Sequence, residues 1–247
     1  MFSSVNMMAW ILLYCVSHAE LERRRPERKD AGGRVHSQLF DSSRETGRTS
    51  TTTFISLYKE DAMPTSTTQQ INGVNLEVLK GTVSAIQADP ELGKCRFRAT
   101  NKWIDGNHNC TSIKEFFGAK QEMSHKQEFQ IHADEPPVLA GTDEAANPVE
   151  ILLGALASCV TTGMVAHAAV NGIQIEELES HLEGDIDLRG FLGLDATVPK
   201  GYTDIRVTFK VKTDTENLAK LKRYAALSPV YNTLIHGTNV DIQIEPK

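Results

Sequence analysis

Hydrophobic and polar residues fall into two kinds of repeat along the C-terminal two-thirds of the chain. Cys95, Phe97 and Ala99 alternate with charged or polar neighbours up to Trp103, which is the period of a strand. Ile104-Asp105-Gly106-Asn107 reads as a turn, and Lys126 to His132 as a further strand with Phe129 and Ile131 on one side. These segments predict a small antiparallel meander. Asn147-Pro148-Val149-Glu150 then carries the signals of a helix start, with Asn147 as N-cap, Pro148 in the first turn and Glu150 completing a capping box. Asn171-Gly172 suits the helix end. No charged residue stands between Glu150 and His167, and apolar side chains occupy every face, so the helix is expected at the centre of a core. Two half-buried strands follow, at Leu178 to Leu188 and at Ile205 to Val211, then an amphipathic helix from Glu216 to Leu227 capped by Asp214 or Thr215. Val240, Ile242 and Ile244 predict a last strand. Strands, central helix, two strands, helix and strand make a two-layer α+β domain, with antiparallel sheets packed on a long buried helix.

That regular part spans residues 92–247. Residues 63–91 read as a leader into it, and 1–62 as something separate. Met7 to Val16 is an apolar run of signal-peptide length, but no Lys or Arg precedes it, and it is too short to span a bilayer. Behind it, arginines lie among Ser, Thr, Gly and Asp with no apolar period, so disorder is expected there. Three readings of this stretch stand side by side: a translation start at Met63, a targeting segment, or a functional arm.

Charge narrows the function classes. With a net charge of -6 and a pI near 5.8, nothing in the whole molecule favours binding to nucleic acid or to an anionic membrane. Ile151 to Val170 has the length of a membrane span, but Gly154, Ser158, Thr161, Thr162, Gly163 and His167 dilute it and its flanks read as soluble sheet. A core helix without membrane insertion is therefore expected. Cys15, Cys95, Cys110 and Cys159 show neither a CxxC nor metal-ligand spacing, which suits a reducing, cytoplasmic compartment and no bound metal or cofactor.

Two segments carry a family resemblance. Asn147-Pro-Val-Glu-Ile-Leu-Leu-Gly-Ala-Leu-Ala-Ser-Cys159 resembles the helix that bears the reactive cysteine in the OsmC/Ohr family, and Ser228-Pro-Val-Tyr-Asn-Thr-Leu-Ile-His-Gly-Thr-Asn-Val240 resembles its second active-site segment. The likeness runs from about Phe97 to the C-terminus and includes the His132-Ala-Asp-Glu-Pro-Pro loop and Gly184-Asp-Ile-Asp-Leu-Arg-Gly190. It implies an intertwined homodimer with two long central helices and sites at the subunit interface. It also implies a cysteine that attacks a peroxide, activated by a glutamate and an arginine and resolved by a second cysteine. Cys159 matches the attacking position. The usual glutamate position holds Val149, with Glu150 one residue later, and the resolving position holds Ser228. Neither Arg96 nor Arg98 can be assigned to the arginine's place.

A peroxidatic cysteine must be a thiolate, yet Cys159 lies about three turns into its helix, beyond the reach of the helix dipole. Its activation must come from other segments. Without the resemblance, a cysteine amid Leu, Ala and Val reads as a buried structural thiol. His167 is about 12 Å further along the helix and reads as a helix-end residue rather than a base. Glu150 has a sufficient role in the capping box, with a carboxylate near the thiol pocket as its functional reading. Ser228 before Pro229 is an N-cap, and Asp134 and Glu135 read as a solvated loop. Catalytic candidates are thus Cys159 and Glu150. The expected function is reduction of an organic hydroperoxide through Cys159 with an external thiol or dithiol reductant. The alternatives are a non-catalytic module binding a small apolar ligand and, with less support, a cysteine hydrolase.

Overall fold

The computed structural model describes residues 69–247. The apolar run at Met7 to Val16, the predicted disorder of 1–62 and the Met63 start all lie outside the described residues. The chain is a mixed α+β structure. It opens with a two-stranded hairpin, β1 (Gln70–Ile71) and β2 (Val74–Asn75), and a helix, α1 (Leu76–Ala88), capped by the Asn75 side chain. Asn72, with φ at 54° in the hairpin turn, donates to the Ile173 carbonyl and accepts from the Ile175 N–H, both at 2.9 Å. One side chain thereby ties the stretch after Gln69 to a segment a hundred residues away.

The meander follows as β3 (Arg96–Phe97), β4 (Thr100–Asp105), β5 (His108–Gly118) and β6 (Gln121–Ala133). β5 is its central strand, pairing antiparallel with β3 and β4 on one edge and β6 on the other. Strand alternation did not point to β5, because His108-Asn-Cys-Thr-Ser112 is polar on both sides. Gly106, at φ 52°, makes the turn between β4 and β5.

The central helix, α2 (Pro148–Val170), starts and ends where its capping residues place it: Pro148 is in the first turn, the capping box is formed, and Gly172 follows the Asn171 cap at φ 72°. Then come β7 (Glu177–Asp185), a one-turn helix α3 (Leu188–Phe191), β8 (Asp204–Lys212), α4 (Leu218–Ala225) and α5 (Pro229–His236). β7 and β8 form a separate two-stranded antiparallel sheet. Leu156, Val160, Met164 and Ala168, at a spacing of four, put one stripe of α2 into the core with Ile173 and Leu221. Leu178, Leu182, Ile205 and Phe209 cover that stripe from the sheet, and Val230 and Tyr231 from α5.

Four expectations need correction. The helix expected from Glu216 to Leu227 is α-helical only over Leu218–Ala225, after a 3-10 turn at Thr215–Asn217, and the Asp214 side chain makes no capping bond. The strand predicted to Leu188 ends at Asp185, because Asp187 accepts from the Arg189 N–H at 3.0 Å and starts α3. The last strand is not formed: Val240, Ile242 and Ile244 lie at 77%, 79% and 93% exposure with no strand beside them. Alternation marks a segment able to pair but does not supply its partner. The central helix is buried on one face only. Leu152, Gly154, Ala155, Ser158 and Thr162 are exposed, and a Cβ added at Gly154 or Gly163 would meet nothing within 4 Å. Among the described residues it is the one helix long and apolar enough to cross a membrane, and its other stripe packs into the α+β core.

Candidate functional site

The N-terminal end of α2 is held by a dense set of polar contacts. Asn147 Oδ1 accepts from the Val149 N–H at 2.9 Å, and the Asn147 N–H donates to Glu150 Oε2 at 3.0 Å. Glu150 therefore fills the structural role its spacing implied. The Asn147 side-chain amide donates in turn to Glu135, and the Tyr202 hydroxyl donates to the Val149 carbonyl at 2.9 Å. Tyr202 comes so close to Gly184 that a Cβ there would sit 2.5 Å from its ring, which explains a glycine near the end of β7.

Asp134 is more than loop solvation. Its side chain is 1% exposed, and its Oδ2 accepts from the Thr142 N–H at 3.0 Å, the Thr142 hydroxyl at 2.6 Å and the Glu144 N–H at 3.2 Å. The Thr142 hydroxyl, with backbone N–H donors after it, holds this carboxyl far below the usual carboxylate range. Glu135 moves the other way, raised by burial and then by the charges of Asp134 and Glu150. The pair fastens the 134–146 loop against the start of α2. The contact runs between Asp134 and a threonine eight residues on, a separation that matches no short turn or capping motif.

Cys159 is half-buried between the core residues Leu156 and Val160 and the exposed Ser158 and Thr162. It thus lies at the border between the buried stripe and the open face. Glu150 precedes it by nine residues, about 13.5 Å along the axis and about 180° around it. One chain does not bring these two candidates together. His167 stacks on Tyr224, with ring centroids 5.6 Å apart and an interplanar angle of 26°, as a helix-end contact rather than a base. Ser228 is fully buried and its hydroxyl accepts from the Tyr231 N–H at 3.2 Å, capping α5 as expected. Arg98 is engaged by Glu122 at 2.6 and 2.9 Å. Arg206 bonds to Asp185 and Glu183, and Arg189 to Asp187. Among the described residues, no group of three His, Cys, Asp or Glu side chains could hold a metal ion.

A groove of about 310 Å³ runs between the meander and the start of α2, lined by Asn101, Asn109, Thr111, Ile131, Ala133, Pro148 and Ile151. Asn101 Nδ2 donates to Asn109 Oδ1 at 2.7 Å and to Thr111 Oγ1 at 2.8 Å, so a polar strip lies beside apolar walls. Missing β5 in the sequence meant missing this strip.

Residues 141–243 match the family described as OsmC, OsmC-like protein. No curated protein matched the chain. Among solved structures, it is similar to an OsmC-like protein from Mycoplasma pneumoniae at 18% identity and a TM-score of 0.45, covering 57% of this chain and 89% of that one. An OsmC-like protein of unknown function from Vibrio cholerae gives 13% identity and a TM-score of 0.43, with 56% and 92% covered. A protein from Legionella pneumophila, described as an organic hydroperoxide resistance protein OsmC and predicted redox protein, gives 19% identity and a TM-score of 0.35, with 57% and 90% covered.

Proposed function

We propose that the chain is an OsmC-like protein, on the match of residues 141–243 to that family, and that it reduces organic hydroperoxides through Cys159, using an external thiol or dithiol. The observation that carries this reading is the position of Cys159: half-buried on the central helix, at the edge of the face left open within one chain. The Cys159 thiolate attacks one peroxide oxygen, the O–O bond breaks, and the alkoxide takes up a proton and leaves as the alcohol. The resulting sulfenic acid is attacked by the external thiol, releasing water and leaving a mixed disulfide. A second thiol then frees Cys159 as the disulfide of the reductant departs. Ser228 stands where the resemblance implies a resolving cysteine, so the reductant has to come from outside.

Activation follows from the same geometry. Glu150 of the same chain points away from Cys159 at about 13.5 Å, so charged groups have to be brought to the thiol from elsewhere. We assign them to a second copy of the chain, packed on the open face of α2 in a homodimer. The supporting observations are the exposed apolar and small residues of that face and the apolar side chains left open on the meander. The reading places the protein in the cytoplasm, and the Cys159 chemistry it describes uses neither metal nor cofactor.

The test is hydroperoxide consumption with cumene hydroperoxide, with and without dithiothreitol. Consumption that depends on the dithiol and is lost in Cys159→Ser supports the proposal. Equal rates in wild type and Cys159→Ser contradict it. The groove beside Asn101 favours the second reading, a binding module for a small ligand with an apolar body and one polar end. Protein inert to peroxide that still binds such a ligand would establish that reading instead.

A further inference from the structure

The meander carries a second group of chemically able side chains on its other face. Residues lining the groove alternate along β5 and β6 with His108, Cys110 and His132, so these three belong to the opposite surface of the sheet. His132 stands directly across from Cys110 in the β5–β6 register, and His108 is diagonal to it. His108 Nε2 and His132 Nδ1 face each other at 3.0 Å, with the rings tilted by 45°. Two imidazole nitrogens at this distance share one proton, one ring donating and the other accepting. A cation with affinity for imidazole can displace that proton, seated to one side of the line between the two nitrogens.

We propose that His108 and His132 form a two-imidazole site for a tetragonal divalent cation, Ni2+ or Cu2+. With metal–nitrogen bonds of about 2.0–2.1 Å, a 3.0 Å separation sets the N–metal–N angle at about 95°. That is close to the right angle between neighbouring ligands in tetragonal geometry and well below the tetrahedral angle that Zn2+ prefers. Behind His108, a Glu144 carboxylate oxygen lies 3.8 Å from Nδ1, outside hydrogen-bond distance, where its charge favours the N–H at Nδ1 once Nε2 is given to the metal. Since no third donor among the described residues completes a group of three, the remaining positions are assigned to water. The site is thus an exchangeable one of modest affinity. It is independent of the Cys159 chemistry and stands or falls separately from it.

The experiment is calorimetric titration of the full chain with Ni2+, which does not oxidise the neighbouring Cys110 thiol. The comparison is with His108→Ala, His132→Ala and Glu144→Gln, each checked by circular dichroism, and with Zn2+ in place of Ni2+. One equivalent should bind the wild type more tightly than Zn2+ does, and each histidine variant should weaken Ni2+ binding at least tenfold. Glu144→Gln should weaken it by less than either histidine variant, because the carboxylate acts only through its charge at 3.8 Å. Ni2+ binding unchanged in both histidine variants, or absent from the wild type, overturns the assignment.

Discussion

Around α2, Leu156, Val160, Met164 and Ile173 are almost wholly removed from water, whereas in the meander β3–β6 Ala133 is the one hydrophobic side chain so buried, and Phe97 and Trp103 stand 75% and 72% exposed. Both regions have regular backbone hydrogen bonding. They differ in what lies against their apolar faces. The part around α2 is closed on one side by β7, β8, α4 and α5, and the meander and the opposite side of α2 are left open. Secondary structure alone therefore does not make a core, and the apolar surface left over is the face on which the proposed second copy would pack.

The comparison is broken most severely by attacking the closed side. Leu156→Ala or Met164→Ala should cost about 2–5 kcal/mol, as large-to-small changes in a packed core do. Trp103→Ser should leave the unfolding of an isolated protomer almost unchanged. Denaturant melts at several protein concentrations check both. If Trp103→Ser destabilises as much as Leu156→Ala regardless of concentration, the meander has a core of its own.

The open side is tested by assembly. Sedimentation at micromolar concentration should give a dimer, and Leu152→Arg on the exposed face of α2 should shift it to a folded monomer. A wild type that sediments as a monomer would contradict the two-copy reading.

A smaller effect concerns the 134–146 loop, which joins the two regions. The Asp134 carboxyl titrates lower in the folded chain than its value of about 3.9 in an unfolded one. The folded state thus binds fewer protons there, and the stability this provides is complete above about pH 4 and lost as pH falls through the folded value. Asp134→Asn should lower the melting temperature at neutral pH and flatten the loss of stability on acidification. Equal acid limbs in the two proteins would mean that the buried contact to Thr142 carries no weight. Smallest of all, Ser228→Ala should cost about 1 kcal/mol, the usual loss of an N-cap.

How much was legible in the sequence follows the same division. The start and end of α2, the strand from Ile205 to Val211 and the cap at Ser228 could be read because their signals are local. Asn147, Pro148, Glu150 and Gly172 act within a turn of the helix, and Ile205, Phe209 and Val211 alternate because one face is covered. β5 escaped because its residues have no covered face within the chain to impose alternation. Val240 to Ile244 misled for the converse reason: the pattern was present and the partner strand was not. Asp134 was invisible as a buried staple because its partners are eight and ten residues away across an irregular loop. For the site, the position of Cys159 on its helix was readable, along with the lack of a cysteine at 228. The opposed placement of Glu150 followed only once the helix was known to run unbroken between them.

The proposed chemistry rests on Cys159 being the atom that meets peroxide. Intact-mass and peptide mass spectrometry of the full chain, after brief cumene hydroperoxide exposure in the presence of dimedone, measures this directly. A single adduct on Cys159, absent from Cys159→Ser and suppressed when dithiothreitol is supplied with the peroxide, is the expected result. Adducts on Cys95 or Cys110 with Cys159 unmodified, or no adduct at all, would contradict it.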